Sequence, residues 1–277
     1  MMQRARVLID CQDKKGLVYK ISKVFYELDL NIVSNQEFVD KESKHFFMRS
    51  VITGNFDIKD LETKLQESIK SAHIKVIPPQ KKDIILMATK ESHALGDILI
   101  RYLDGELDAN ILAVIANREN LKELVERFNI PFIYISADNL TREEHEELII
   151  KELSKYKFDY IVLAKYMRIL TPKFVSLYQG KIINIHHSFL PAFIGANPYK
   201  QAYERGVKII GATAHFVTDD LDEGPIIAQD VISINHRFDW KDMQQAGRDV
   251  EKIVLARALK LVLEDRVFVN QNKTVVF

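Results

Sequence analysis

The chain has 277 residues, and 47% of them are hydrophobic, so it can bury a sizeable core in one large domain or two modest ones. Its 39 lysines and arginines balance 39 aspartates and glutamates, which argues against nucleic-acid or anionic-membrane partners. One cysteine, no signal-peptide pattern and no apolar run near the roughly 20 residues that span a bilayer lead us to expect a cytoplasmic protein with a small-molecule ligand.

Residues 1–77 show patterns in the order β-α-β-β-α-β. Compact or alternating apolar runs predict strands in ARVLIDC, NIVSNQEFV, HFFMRSVIT and HIKVI. Apolar residues at helical spacing predict helices in GLVYKISKVFYELD and DIKDLETKLQESIKS. This order is typical of a ferredoxin-like domain, an antiparallel sheet with both helices on one face.

A boundary is predicted at residues 78–82, PPQKK, because two prolines without amide donors suit neither a strand nor a helix interior. In residues 83–277, apolar strands alternate with amphipathic helices, which is typical of a doubly wound, mostly parallel, Rossmann-like α/β domain. A long helix, WKDMQQAGRDVEKIVLARALKLVLE, and a strand pair around NQNK complete this predicted domain.

Polar side chains follow the predicted strand KIINI, where ligands of such sheets bind. Asn184 and His186 are two residues apart, so both point to one face of an extended segment. An amide N–H stabilises a developing oxyanion, and an imidazole exchanges protons near neutral pH. The alternative is a polar strand end that caps the next turn.

A second polar segment, GATAHFVTDDLDEGPII, contains Asp219, Asp220, Asp222 and Glu223. Taken alone, this segment is more typical of an acid-rich turn before a glycine than of a functional site. A carboxylate that the fold brought beside His186 would orient the ring and stabilise the imidazolium form. The sequence pattern alone does not show that such an approach occurs.

Other chemistries have weaker support. His186, His187, His215 and Asp222 suggest a metal hydrolase, but the chain lacks H-E-x-x-H and other recognised ligand spacings. Ser188 is not in a G-x-S-x-G elbow, and no G-x-G-x-x-G loop is present. The segment TREEHEEL is interpreted as a capped, solvated helix start with Thr141 as its cap.

Three segments carry a family resemblance. The stretch from NIHHSFLP to DDLDEGPII resembles the catalytic region of the folate-dependent formyltransferase fold, and LAKYMRIL resembles that fold's folate-binding loop. DCQDKKGLVYKISKVFYELDLNIVSNQEFVD resembles an ACT-type regulatory domain. The two together resemble the formyltetrahydrofolate deformylase family, which implies hydrolysis of 10-formyltetrahydrofolate to tetrahydrofolate and formate, supplying formate and balancing the folate pools that serve purine synthesis.

The resemblance also implies residue roles. The catalytic set would be Asn184, His186 and Asp222. The folate pocket would include Met167, Arg168, Ile169, Leu170, His215, Thr218 and Asp219. An amino-acid effector would bind the ACT turn at Asp13, Gly16 and Leu17. No metal or separate cofactor is expected, and the chain is expected to form a homo-oligomer, a dimer or a tetramer.

Two departures favour water as the formyl acceptor. Relatives that formylate glycinamide ribonucleotide have a glycine-rich turn after the first strand and the sequence N-I-H-P, whereas this chain has TKESHALGD and NIHH. In the ACT turn, Gln12 replaces the usual proline. Formyl transfer to an amine remains the enzymatic alternative, and a folate-sensing or amino-acid-sensing protein without catalysis is the non-enzymatic one.

Overall fold

A computed structural model describes residues 3–192 and 197–277 of the chain. These residues form two compact units. The first contains the chain up to Gln80 together with residues 265–270 and 275–277, and the second contains residues 81–264 and 271–274. The change of unit between residues 80 and 81 falls within the predicted linker, whereas the last residues are divided between the units.

The first unit has the predicted β-α-β-β-α-β order. Its elements are β1 (Gln3–Gln12), α1 (Leu17–Glu27), β2 (Asn31–Asp40), β3 (His45–Gly54), α2 (Ile58–Ser68) and β4 (His73–Ile77). The strands form an antiparallel sheet in the order β2-β3-β1-β4. Ile21 and Phe25 of α1 join Leu61 and Leu65 of α2 in its core, as helical spacing predicts.

The C-terminal residues 265–270 pack within the first unit through polar and aromatic contacts. Arg6 Nε lies 3.2 Å from Asp265 Oδ2, and Arg49 Nε donates to the Asp265 carbonyl at 3.1 Å. Phe268 packs edge-on against Phe47, with ring centroids 5.6 Å apart. The sequence interpretation placed these residues in the second domain, because local patterns do not reveal such long-range contacts.

The second unit alternates strands and helices. Its strands are β5 (Lys82–Ala88), β6 (Ala109–Ala116), β7 (Phe132–Tyr134), β8 (Tyr160–Leu163), β9 (Ile182–His186), β10 (Ile209–Phe216) and β11 (Ile226–Ser233). Its helices are α3 (His93–Leu103), α4 (Lys122–Glu126), α5 (Arg142–Leu153), α6 (Pro172–Leu177), α7 (Pro198–Arg205) and α8 (Trp240–Leu263). The last two strands are β12 (Val267–Asn270), which belongs to the first unit, and β13 (Lys273–Val276), whose residues are divided between the units.

The seven-stranded sheet has the order β11-β10-β9-β8-β5-β6-β7. Strands β5 to β9 pair in parallel, whereas β10 pairs antiparallel with both β9 and β11. This arrangement confirms the predicted mostly parallel α/β fold. It places β9 and the neighbouring β8 and β5 with their carboxyl ends at one edge, where ligands of such sheets bind. Among the described helices, none is long and apolar enough to cross a membrane.

Candidate active site

Strand pairing between β9 and β10 brings three predicted site residues together. Asn184 and His186 lie on the same face of β9, and in the antiparallel register His215 of β10 is opposite Asn184. The side chain of Asn184 lies 3.3 Å from His215, measured from Nδ2 to Nε2. His186 and His215 are buried, with exposed fractions of 5% and 2%.

Asp222 approaches the same histidines from the loop between β10 and β11. Its Oδ2 atom lies 3.3 Å from His186 Nδ1, and its Oδ1 atom lies 3.8 Å from His215 Nε2. Asp222 has a left-handed backbone, with φ of 58°. The carboxylate beside His186, which the sequence alone did not place, is therefore a feature of the structure.

Gly224 determines how closely this loop approaches β10. A Cβ atom at Gly224 would lie 1.8 Å from the carbonyl oxygen of Phe216, a contact that no side chain tolerates. The backbone N–H of Phe216 donates to Pro225 O at 2.9 Å, which closes the loop behind Asp222. The glycine after Asp222-Glu223 is thus required by packing, whereas the sequence suggested only a turn residue.

The hydrogen bonds of His215 define its tautomer. Its Nδ1 lies 2.9 Å from the carbonyl oxygen of Phe216, which only accepts, so the proton is on Nδ1. Burial lowers the pKa of His215, more than the Phe216 hydrogen bond and Asp222 raise it. His215 is therefore neutral near pH 7, and its Nε2 accepts a hydrogen bond from Asn184. The second N–H of the Asn184 amide remains able to donate elsewhere.

Asp222 and His186 form a carboxylate–imidazole pair in the site. The pKa of Asp222 is lowered overall. Burial alone would raise this pKa, but the interactions with His186, His215 and His187 lower it by more. Asp222 is thus a carboxylate near neutral pH. The Nε2 atom of His186 is buried and has no hydrogen-bond partner among the described residues. Because Nδ1 is directed at Asp222, Nε2 is the nitrogen of His186 that can exchange a proton with another group.

The segment after β9 is held by Thr213, which sequence reasoning missed. Thr213 Oγ1 donates to Ser188 O at 2.9 Å and accepts from the Leu190 N–H at 3.1 Å. Gln229 Nε2 donates to both Thr213 Oγ1 and Leu190 O. The Leu190–Pro191 peptide bond is cis. Residues 193–196, which follow in the motif that carried the resemblance, lie outside the described residues.

The predicted folate loop follows β8. Its Met167 and Ile169 side chains are half exposed, and Met167 N donates to Thr89 Oγ1 at 2.9 Å. Arg168 and Leu170 are partly buried. The loop ends at Thr171, whose backbone N–H donates to Glu146 Oε1 at 2.8 Å and whose hydroxyl also donates to that carboxylate.

Helix α5, which contains Glu146, differs in part from the sequence interpretation. Thr141 caps the helix with a capping box to Glu144, as predicted. The predicted solvation is wrong for His145 and Glu146, which are buried. Glu146 binds Thr171, and His145 Nε2 lies 3.0 Å from Ile135 O. Charged residues in an acidic helical run gave no signal of burial, because their partners are distant in sequence.

Thr218 and Asp219, also predicted for the folate pocket, lie on the loop that leads to Asp222. Thr218 Oγ1 donates to Asp220 O at 3.2 Å, and the Asp219 side chain is exposed. Both are on the same loop as Asp222 but make no contact with Asn184, His186 or Asp222 among the described hydrogen bonds. Their roles in substrate binding stay predictions.

The predicted ACT turn lines a pocket of about 480 Å³ in the first unit. Asp13, Gly16 and Leu17 contribute to its wall, together with Glu37 and Phe38 of β2. Gly16 has φ of 89°, a conformation that favours glycine and starts α1. The three predicted turn residues therefore share one concave surface, large enough for a small ligand.

The described part of the chain shows no metal-coordinating arrangement of side chains that would support the metal-hydrolase alternative. Within those ranges, no group of three or more His, Cys, Asp or Glu side chains is arranged to hold a metal ion. His187, one of the four residues considered, turns towards Tyr199, with ring centroids 5.9 Å apart. Its ring therefore lies against a different neighbour from the Asp222 carboxylate, which contacts His186 and His215.

Comparison with known proteins identifies both parts of the chain. The formyl transferase family matches residues 82–259, and the ACT domain family matches residues 5–69. A formyltetrahydrofolate deformylase of Haemophilus influenzae is 55% identical over 277 residues, covering 100% of both chains. The chain belongs to the formyltetrahydrofolate deformylase family. The formyltetrahydrofolate deformylase of Bacillus subtilis is 47% identical, and the match covers 99% of this chain and 94% of that protein.

A solved structure supports the same family assignment. The crystal structure of a formyltetrahydrofolate deformylase from Pseudomonas syringae pv. tomato superposes with a TM-score of 0.95 at 43% identity. The match covers 100% of this chain and 95% of that chain. Both predicted domains of the deformylase architecture are therefore confirmed, and the residue roles within the site stay predictions.

Proposed function

We propose that this chain hydrolyses 10-formyltetrahydrofolate to tetrahydrofolate and formate. The observation that carries the proposal is the convergence of Asn184, His186 and Asp222 in a deformylase-family chain, with a proton-accepting nitrogen of His186 left unpaired among described residues. Hydrolysis breaks the bond between the formyl carbon and N10 of the folate and forms a new bond from that carbon to a water oxygen. The reaction needs no electron transfer.

His186 and Asp222 activate the water. With the Nδ1 proton directed at Asp222, His186 Nε2 accepts a proton as the water attacks the formyl carbon. The imidazolium that forms lies 3.3 Å from the Asp222 carboxylate, which stabilises its charge. His186, or a water relayed through it, then protonates N10 as the folate leaves.

Asn184 stabilises the tetrahedral intermediate. His215 accepts one N–H of the Asn184 amide and so fixes the orientation of that side chain. The second N–H of Asn184 donates to the oxyanion that develops on the formyl oxygen, and protonated His186 adds its charge. The neutral, Nδ1-protonated His215 is essential here, because an imidazolium would have no acceptor for Asn184.

We propose that the folate is bound by residues 167–170, His215, Thr218 and Asp219, and that no metal or further cofactor takes part. Purified protein with 10-formyltetrahydrofolate and no amine acceptor tests the reaction. Catalytic formation of formate and tetrahydrofolate in equal amounts is expected, unchanged after dialysis against a strong chelator. Turnover that requires an added amine would favour the transferase alternative, and no turnover would favour a sensor.

The ACT pocket is proposed to bind an amino-acid effector. Its support is the concave surface formed by Asp13, Gly16 and Leu17 and the open backbone at Gly16, where nothing lies within 4 Å of an added Cβ. Rates measured with each common amino acid should change for at least one. Gly16→Ala should reduce the ratio of rates with and without that amino acid, whereas an unaltered ratio would place the effector elsewhere.

Assembly and localisation stay predictions. We propose a homo-oligomer, a dimer or a tetramer, in which the ACT parts pair and couple effector binding to activity. Sedimentation of the purified full chain tests this, and a monomer at all concentrations would contradict it. We also propose a cytoplasmic location, which fractionation of cells that express the chain would test.

A further inference from the structure

Glu251 of helix α8 contacts a cluster of side chains in which Lys165 and Tyr199 are buried and His93 is partly buried. It is 1% exposed, and its carboxylate contacts three side chains. Oε2 lies 2.8 Å from His93 Nε2 and 3.3 Å from Lys165 Nζ, and Oε1 accepts from the Tyr199 hydroxyl at 2.7 Å. The four residues come from α3, the segment after β8, α7 and α8.

The cluster is charged in spite of its burial. Burial raises the pKa of Glu251, but the hydrogen bond from His93, the charge of Lys165 and the hydrogen bond from Tyr199 lower it to about 2. A buried ion-paired carboxylate is weak evidence for a stabilising role, because the desolvation of its charges offsets much of their attraction. Stability alone therefore does not explain why these charges are buried.

Tyr199 connects the cluster to His186, the proposed catalytic histidine, through contacts between aromatic rings. The ring of Tyr199 packs against His187 at 5.9 Å, and the His187 ring packs against His186 at 5.1 Å between centroids. Gly247, one helical turn before Glu251, leaves room for this tyrosine. A Cβ atom at Gly247 would lie 2.0 Å from the Tyr199 hydroxyl oxygen. Tyr199 is thus held at its hydroxyl by Glu251 and on its ring by the surface at Gly247.

The other side of the cluster leads to the predicted folate loop. Lys165 is buried, has a left-handed backbone with φ of 60°, and precedes Met167 by two residues. The backbone N–H of Met167 donates to Thr89, which follows β5 and lies four residues before His93. Lys165 and His93, two partners of Glu251, are therefore close in sequence to the two ends of the hydrogen bond that positions the start of the loop.

We propose that Glu251 is a positioning residue, which fixes His186 through Tyr199 and His187, and fixes the folate loop through Lys165. The proposal rests on the proposed function, since it concerns the placement of groups for that reaction. Glu251 touches neither Asn184 nor Asp222 among the described contacts and acts only through its partners. One carboxylate then sets the distance between the loop that binds the substrate and the side chain that activates water.

Two single variants separate the two sides of the cluster. Tyr199→Phe keeps the ring but loses its anchor on Glu251, so kcat should fall about tenfold while KM stays within about twofold of wild type, since small misplacements of catalytic groups mainly slow chemistry. Lys165→Met removes the anchor of the folate loop, so KM should rise about tenfold with a smaller change in kcat. Equal effects of both variants on kcat and KM would contradict the proposal.

Glu251→Gln keeps the shape of the side chain and should combine both effects. Asp249→Asn is the matched control, because it removes an exposed carboxylate that pairs with Lys252 on the same helix, and it should leave both constants unchanged. Circular dichroism and thermal unfolding measure the folded fraction of each variant. If Glu251→Gln does not fold, Tyr199→Phe and Lys165→Met still carry the test, since both retain the carboxylate.

A double-mutant cycle tests whether Gly247 acts through the tyrosine. Gly247→Ala alone should lower kcat, because its methyl group displaces the Tyr199 ring. In a Tyr199→Ala background the same substitution should have no further effect on kcat. Additive losses would contradict this path. Wild-type values of kcat and KM in folded Glu251→Gln, or losses that match the unfolded fraction, would overturn the proposal, whereas the wild-type rate itself tests the proposed function separately.

Discussion

His186 Nδ1 lies 3.3 Å from Asp222 Oδ2, whereas His186 Nε2 has no hydrogen-bond partner among the described residues. One nitrogen thereby has an acidic partner, and the other is the nitrogen that we propose faces the substrate. This division of the ring is the arrangement that a histidine general base requires. It depends on a loop between two antiparallel strands that the α/β sheet carries beyond its parallel strands.

Asp222→Asn should lower kcat about 100-fold or more, because an amide neither orients His186 Nδ1–H as well nor stabilises the imidazolium. The fold should persist, since the substitution preserves shape in a loop. Steady-state formate release measures the change. Asp220→Asn on the same loop is the control, because its side chain is exposed and should leave the rate near that of wild type. Near-normal turnover of Asp222→Asn would remove Asp222 from the mechanism.

Asn184→Ala should lower kcat by about 100-fold, the usual effect of removing one oxyanion donor. His215→Phe should cause part of this loss, because Asn184 then lacks the acceptor at 3.3 Å that orients its amide. In the Asn184→Ala background, His215→Phe should therefore cost less than it does alone. Fully additive effects would show that His215 acts independently of Asn184.

Gly224→Ala should inactivate the enzyme without a change to any polar group. The added methyl would lie 1.8 Å from Phe216 O, so the loop must shift and carry Asp222 with it. A displacement of about 1 Å commonly costs about 100-fold in rate. Gly96→Ala in helix α3 is the matched control, since its Cβ would lie 3.9 Å from Leu124 Cδ2. That variant should gain about 0.5–1 kcal/mol of stability at unchanged activity. Equal activity of the two variants would contradict the packing argument.

The stability of the chain should fall as pH decreases from about 6.5 to 5. The pKa values of His145, His187 and His215 are lowered chiefly by burial, to about 3 for His187. Their unfolded forms, with pKa of about 6.5, bind protons that the folded forms do not, so acid favours unfolding in this range. His187 alone should cost on the order of 1 kcal/mol at about pH 5.5.

The acidic residues contribute at lower pH. The pKa values of Asp222 and Glu251 are also lowered in the folded state, so their stabilisation is present above about pH 4 and is lost only as pH falls further. Urea unfolding at pH 7.5 and 5.5 measures the histidine contribution. His145→Gln should weaken the pH dependence, because it removes one of the three groups. Equal stability at both pH values would contradict the assigned pKa directions.

The fold could be predicted from the sequence, and the family resemblance indicated the three residues that the structure brings together, but not the residues that support them. The period of the apolar residues gave the element order in both units, and the resemblance gave Asn184, His186 and Asp222. Thr213 and Gly224 support these three residues through contacts with other segments of the chain. Thr213 contacts Ser188, and Gly224 packs against the Phe216 carbonyl. Such contacts depend on register and loop path, which local patterns do not encode.

The burial of the carboxylates of Glu146 and Glu251 could not be predicted from the sequence either. Glu146 lies in an acidic helical run and reads as solvated, yet it binds Thr171. Glu251 lies in a long helix of mixed polarity, and its three partners are contributed by three other segments. The sequence gives no signal that distinguishes these carboxylates from exposed ones, because burial of a charge is decided by which donors the tertiary structure brings to it.

In the proposed reaction, water accepts the formyl group. Turnover of 10-formyltetrahydrofolate in water enriched in oxygen-18, followed by mass spectrometry of the formate, tests it most directly. Hydrolysis predicts one solvent oxygen in each formate released, with tetrahydrofolate formed in equal amount and labelled formate released about 100-fold more slowly by Asp222→Asn. Tetrahydrofolate formed without labelled formate would show that the formyl group goes to an acceptor other than water, which would contradict hydrolysis.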